Sequence, residues 1–170
     1  EKAGIDPAMV DDCIFGAAAQ QGTQSYNSGR LCGLVGGLPE TTAGMAIERQ
    51  CSSGLMSIAT AAKSIICNDY DVAVAGGVES ISLTQNKHKN TYRSQSAAAI
   101  EVDHTAYMPM LETAEVVSDR YGISREMQDE YSLQSQQRTA VAQESGIFND
   151  EIVPMQAVKA VFNRETKETS

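Results

Sequence analysis

The sequence predicts an α/β protein in which short parallel strands alternate with helices, followed by a more polar, helical region. Three observations carry this. Apolar runs of strand length at 13–15, 43–47 and 71–77 alternate with helix-like stretches at 25–38 and 53–67. The last of these runs, DVAVAGG, is nearly continuous in apolar residues, as in a strand covered on both faces of a parallel sheet. From about Glu79 the texture changes, and Asn, Gln, Lys and Ser dominate 82–105.

Taken in order, Cys13, Ile14 and Phe15 follow two aspartates and read as a buried strand. In 25–38, Leu31, Leu34, Val35 and Leu38 are spaced to share one helix face. Ser25 or Asn27 is a suitable N-cap there, and Gly36, Gly37 and Pro39 end the helix. The run 43–47 is the second strand. The segment 53–67, SGLMSIATAAKSIIC, is apolar nearly all round with Lys63 its single charge, so it is expected to be buried on most faces. The order β-α-β-α-β implies right-handed crossovers and a layered α/β/α core. Beyond an irregular 82–105, helical periodicity returns at 111–121. A polar surface helix is expected over 125–145, with Ser124 as N-cap and Gly146 just past its end. Residues 1–80 thus read as an α/β core and 81–170 as an incomplete insertion domain. The chain opens at Glu1 on residues that resemble the end of a helix and a loop, and it closes on a polar run, so a fragment is expected.

Charge and cysteine content exclude several classes. Twenty-two acids against 13 bases give a net charge of −9, and the bases are scattered apart from Lys87, Lys89 and Arg93, which argues against a nucleic-acid partner. No stretch approaches the roughly 20 apolar residues of a membrane span, and the opening residues carry no targeting pattern. Cysteines at 13, 32, 51 and 67 form no Cys-x-x-Cys pair, and His88 and His104 lie near none of them, so no metal site is expected. Reduced thiols in the cytoplasm are expected, with an organelle as the alternative.

One stretch carries chemistry. In ERQCSSGL, residues 48–55, an apolar strand ends, Cys51 sits at the turn, and the apolar helix begins. A thiol at a helix start lies at the positive end of the dipole beside unpaired N–H groups. Both favour thiolate, which is the nucleophile. The small Ser52, Ser53 and Gly54 leave room for a substrate to reach the sulfur. The alternative is a buried structural cysteine behind a tight turn.

The stretch GMAIERQCSSGLMSIATAAKSI followed by DVAVAGGVESIS resembles the nucleophile region of thiolases, the acyl-CoA C-acyltransferases. FGAAAQQGTQSYNSGRLCGLVGGLP resembles the family's first Gln- and Asn-rich loop and helix. LETAEVVSDRYGISREMQDEYSLQSQQRTAVAQESGIFNDEIVPM resembles its loop domain, so the likeness extends over residues 4–155. The T-A-E with YGISREMQDEY is the specific part, because ketoacyl synthases also carry C-S-S-G.

The resemblance implies a thiolase-like layered core with an inserted loop domain, and reversible thiolysis of 3-ketoacyl-CoA, or the reverse Claisen condensation, through an acyl thioester on Cys51. It implies acyl-CoA and CoA as substrates, no permanently bound cofactor, and at least a dimer. The family's Gly-His-Pro and Cys-x-Gly motifs, which supply its base and acid, do not occur here, so the C-terminal half is read as absent and the chain alone as inactive and poorly folded. His88 and His104 read as ordinary surface residues.

Two positions depart from the family. Glu48 stands where many members have Asn, and pairing with Arg49 is expected. Pro109-Met110-Leu111 stands where many have His-Met-Gly, so Met110 alone matches the residue that lies beside the bound acyl chain, the alternative being a core methionine. Two rival functions are a ketoacyl synthase-like condensing enzyme and a non-catalytic, thiolase-like lipid-binding or assembly protein.

Overall fold

Three parallel strands set the layout of the first unit. In the computed structural model, which describes residues 3–156, 158 and 161–167, β1 (Asp12–Gly16) lies between β2 (Ala43–Ile47) and β3 (Ala73–Gly77). Asp12 stands opposite Ala43 on one side and Ala73 on the other, and Gly16 opposite Ile47 and Gly77. Helix α1 (Ser28–Val35) connects β1 to β2, and α2 (Ser53–Ile66) connects β2 to β3.

Because side chains alternate across a strand, the contacts of β1 tell which helix covers which face. Cys13 and its neighbour Gly44 meet α1 at Gly33 and Arg30, whereas Gly16 and Gly77 meet the start of α2. The helices therefore lie on opposite faces, giving the α/β/α layering that two right-handed crossovers impose. The apolar core is small: Val10, Cys13, Ile14, Ala17 and Ala61.

The caps follow the sequence. Asn27 caps α1, its side chain accepting from the Arg30 N–H at 3.2 Å while its amide donates to Gly44 O at 2.7 Å. Helix α2 is covered on one side, so the large apolar residues of its all-round apolar sequence face water in this chain. Only Ser53, Ser57 and Ala61 are buried, whereas Leu55 is 71% and Ile66 78% exposed, with Ile58 and Ile65 also open and Met56 half-buried. The sheet accepts only the small stripe of this helix, which leaves its large side chains on the other side. β3 is likewise not covered on both faces, and Val74 is exposed.

The first compact unit runs to Ser96, and the second spans Ala97–Ser170. The first extends past residue 80 because a short α3 (Ile81–Thr84) folds back with Thr84 buried, and the Asn90 N–H donates to Gln21 Oε1 at 2.9 Å. In the second unit, α4 (Ala97–Val102) lies inside the stretch expected to be irregular. Three consecutive alanines, 97–99, are strong helix formers that outweigh the polar surroundings. Helices α5 (Met110–Tyr121) and α6 (Arg125–Glu144) are separated by Gly122 in the left-handed conformation. Ser124 caps α6 by accepting from the Met127 N–H at 3.3 Å, and Gly146, also left-handed, follows its end. None of the residues of α6 is buried.

Gly16 has no space for a side chain: a Cβ there would fall 2.1 Å from the Ser53 carbonyl carbon and 2.2 Å from its oxygen. Gly16→Ala must therefore lift the first turn of α2 off the sheet. Urea denaturation should show a loss of at least about 1–3 kcal/mol, the usual cost of overpacking; an unchanged midpoint would show that the approach is looser than described.

Candidate active site

The turn that carries Cys51 is laced to itself. After β2, the Gln50 N–H donates to Glu48 Oε1 at 2.6 Å, and the Arg49 N–H donates to Ser53 Oγ at 2.9 Å. Ser53 Oγ donates to Gln50 O at 2.6 Å, and Ser52 Oγ donates to Arg49 O at 2.8 Å. These bonds hold Gln50 at φ +48, in the left-handed region that costs a non-glycine residue about 1–2 kcal/mol. Backbone strain of this kind persists only where the surroundings over-determine it, and it concentrates at functional sites. It falls immediately before Cys51.

Cys51 itself is exposed. Its backbone N–H and that of Gly54, on the first turn of α2, have no hydrogen-bond partner among the described residues. The sulfur thus sits beside free donors at a helix start, where developing negative charge on a bound group would be stabilised. Glu48 does not pair with Arg49. Its carboxylate is taken by the Gln50 N–H, and the Arg49 guanidinium lies 3.2 Å from Met56 Sδ.

A cleft of about 440 Å³ opens at Cys51. Gly16, Gly54 and Gly77 form its narrow floor, where the α2 start meets the ends of β1 and β3, and Ala18, Val78 and Glu79 line its sides. Behind this wall is a polar network that carries no role in the sequence reading. Glu79 Oε2 accepts from the Ala18 N–H at 2.8 Å, and Oε1 accepts from Gln24 Nε2 at 2.7 Å. Gln24 is only 3% exposed. Its amide also donates to Ala19 O at 2.9 Å, and its carbonyl accepts from the Ser80 N–H. The Gln24 amide first, and the Ala18 and Ala19 N–H groups after it, hold the Glu79 carboxyl below the usual range against a smaller opposing effect of burial. The sequence holds a glutamate two residues after the paired glycines of β3 and a glutamine in the loop after β1, but nothing local links the two.

The other cysteines differ. Cys13 is buried, and burial foremost, then Cys32 and Asp12, pushes its thiol up. Cys32 is half-buried and Cys67 is exposed at the end of α2. Met110 lies on the first turn of α5 in the second unit, 76% exposed rather than in a core, and lines an apolar hollow of about 320 Å³ with Thr113, Ala114, Val117 and Ile123. His88 and His104 are both exposed. Among the described residues, no three His, Cys, Asp or Glu side chains are grouped to hold a metal ion, and no helix is long and apolar enough to cross a membrane.

A strained turn presenting an exposed thiol at the mouth of a parallel α/β/α core defines a class of site that the comparisons resolve further. A family profile described as "Thiolase, N-terminal domain" matches residues 1–169. The chain is 39% identical to a 3-ketoacyl-CoA thiolase of Bacillus subtilis over 98% of its own length and 42% of the relative's. It is also 39% identical to an acetyl-CoA acetyltransferase of Chromobacterium violaceum, over 91% of this chain and 42% of that one. The crystal structure of a Bacillus anthracis acetyl-CoA acetyltransferase superposes with a TM-score of 0.73 at 36% identity, covering 98% of this chain and 43% of that one. The chain belongs to the thiolase family. It spans about two fifths of the length of the relatives it matches.

Because the Glu79 carboxyl titrates below its ordinary range in the folded protein, its contribution to stability is present above that range and is lost as pH falls through the lowered value. Stability measured by urea at a series of acidic pH values should therefore fall more steeply in the wild type than in Glu79→Gln. Parallel curves would show that the Gln24 and Ala18 bonds do not favour the ionised form.

Proposed function

We propose that this chain supplies the nucleophile of an acyl-CoA C-acyltransferase. The observation that carries the reading is Cys51, exposed at the start of α2 with its own N–H and that of Gly54 unpaired. In the thiolytic direction the Cys51 sulfur attacks the 3-keto carbon of a 3-ketoacyl-CoA. The electron pair passes to the carbonyl oxygen, to which the Cys51 N–H donates. Collapse breaks the bond between C2 and C3, leaves the acyl group as a thioester on Cys51, and releases the enolate of acetyl-CoA, which takes a proton. The thiol of free CoA then attacks the thioester, and the shortened acyl-CoA leaves as Cys51 is restored. Covalent catalysis thereby divides one carbon–carbon cleavage into two acyl transfers.

By family resemblance, a His of a Gly-His-Pro motif removes the proton from Cys51, and a Cys of a Cys-x-Gly motif protonates the enolate. This sequence contains neither motif, so these groups belong to sequence outside the chain and the chain alone is inactive. Met110 is assigned to the acyl chain of the substrate, supported by its exposure beside an apolar hollow. Relatives named for 3-ketoacyl-CoA thiolysis, β-ketoadipyl-CoA thiolysis and acetyl transfer match to similar extents, which supports acyl-CoA as the substrate class and leaves chain length open. The open apolar side of α2 supports at least a dimer in the working protein, and the cytoplasm is its proposed compartment.

Cys51 and Cys67 are both exposed, so Cys67 is the internal control for activation. Iodoacetamide should alkylate Cys51 faster than Cys67, with Cys13 slowest, and acyl-CoA should protect Cys51 alone. Cys51→Ser should lower turnover by at least about 10³-fold with the fold retained. Equal labelling of Cys51 and Cys67 together with an active Cys51→Ser would refute the assignment.

A further inference from the structure

We propose that Glu79 is a positioning residue that clamps the loop 17–24 against the end of β3 and so fixes one wall of the Cys51 cleft. The inference rests on the reading of Cys51 as nucleophile, but it arises from a separate set of contacts. Residues 17–24 follow the C-terminal end of β1, and Ala18 among them lines the cleft with Cys51. The loop has little regular structure beyond a single turn of 3-10 helix at Gly22–Gln24. Its position is set by side chains. Glu79 reaches 61 residues back in sequence to the Ala18 N–H and 55 residues back to Gln24.

The bond directions make the clamp specific. Each oxygen of Glu79 receives a donor, one from backbone and one from an amide. Gln24 cannot turn over to accept from an amide at position 79, because its donor side also serves Ala19 O and its acceptor side serves the Ser80 N–H. A carboxylate is therefore required at position 79. Its amide isostere has the same shape but presents an N–H₂ to one of two donors, which leaves a donor facing a donor. Gln24 is buried, so it loses a partner that water does not readily replace. Glu79 thus fixes the cleft wall through the loop, and no proton of the reaction passes through it.

Two variants of the full protein test this. Glu79→Gln removes one acceptor at constant shape, and Gln24→Met removes the buried partner, which cannot touch substrate. Both should lower kcat for acyl transfer about tenfold or more, the scale expected when a reacting group is displaced by part of an ångström, with KM for acyl-CoA changed less than about threefold. Both should also speed amide hydrogen exchange in residues 17–24 while exchange in the three strands stays slow. Wild-type kcat in either variant overturns the proposal. So does a kcat defect in Glu79→Gln that Gln24→Met does not share, since Glu79 would then act on the substrate directly. If one variant fails to fold, the other carries the test; failure of both assigns the pair to global stability and overturns the positioning role. Full activity of Cys51→Ser would defeat the underlying reading instead, whatever the Glu79 variants do.

Discussion

The backbone-to-backbone approach of α2 to the sheet is the constraint on which the site depends. Gly16 ends β1, Gly77 ends β3 and Gly54 is the second residue of α2, and the three meet without side chains between them. A Cβ on Gly77 would lie 3.2 Å from the Gly54 Cα, and one on Gly16 would overlap Ser53. Because the helix start is pressed this close, the preceding turn has few residues in which to reverse direction. It does so through a left-handed Gln50, and that reversal presents the next side chain, Cys51, outward. The thiol's exposure and its free neighbouring N–H groups are consequences of packing rather than of local preference.

The same approach determines which face of α2 can be buried. Only Ser53, Ser57 and Ala61 fit against the strands, and Ser57 is fully buried with its hydroxyl 2.6 Å from Gly76 O. The larger side chains are displaced to the opposite side, where Leu55, Ile58 and Ile66 meet water at a cost of about 1.5–3 kcal/mol each relative to full burial. Close placement of the thiol and incomplete burial of its helix are thus two results of one geometry.

How much of this was legible depended on range. The strand 43–47 and the helices around 53–66 and 125–144 follow from local periodicity and capping, and Ser124 and Asn27 act as their residue types suggest. The place of Cys51 between β2 and α2 was legible because a thiol between an apolar strand and a helix start is a local pattern. The open side of α2 was legible as well, since a helix apolar nearly all round needs cover on more than one face, and the sheet of this chain covers one, leaving Leu55, Ile58, Ile65 and Ile66 exposed. Helix α4 was missed because the polar residues on either side of Ala97 mask a short alanine run. The Glu79–Gln24 network was not readable, as its partners are 55 and 61 residues apart and no periodicity links them.

The central claim is that Cys51 carries the acyl group. It is tested most directly by mixing the full protein with acetyl-CoA in the absence of an acceptor, quenching in acid and mapping the modified peptide by mass spectrometry. The account predicts an acetyl group on the peptide that contains Cys51, removed when free CoA is added before the quench. An acetyl group on Cys67 or another residue, or catalytic turnover with Cys51 never modified, would contradict it.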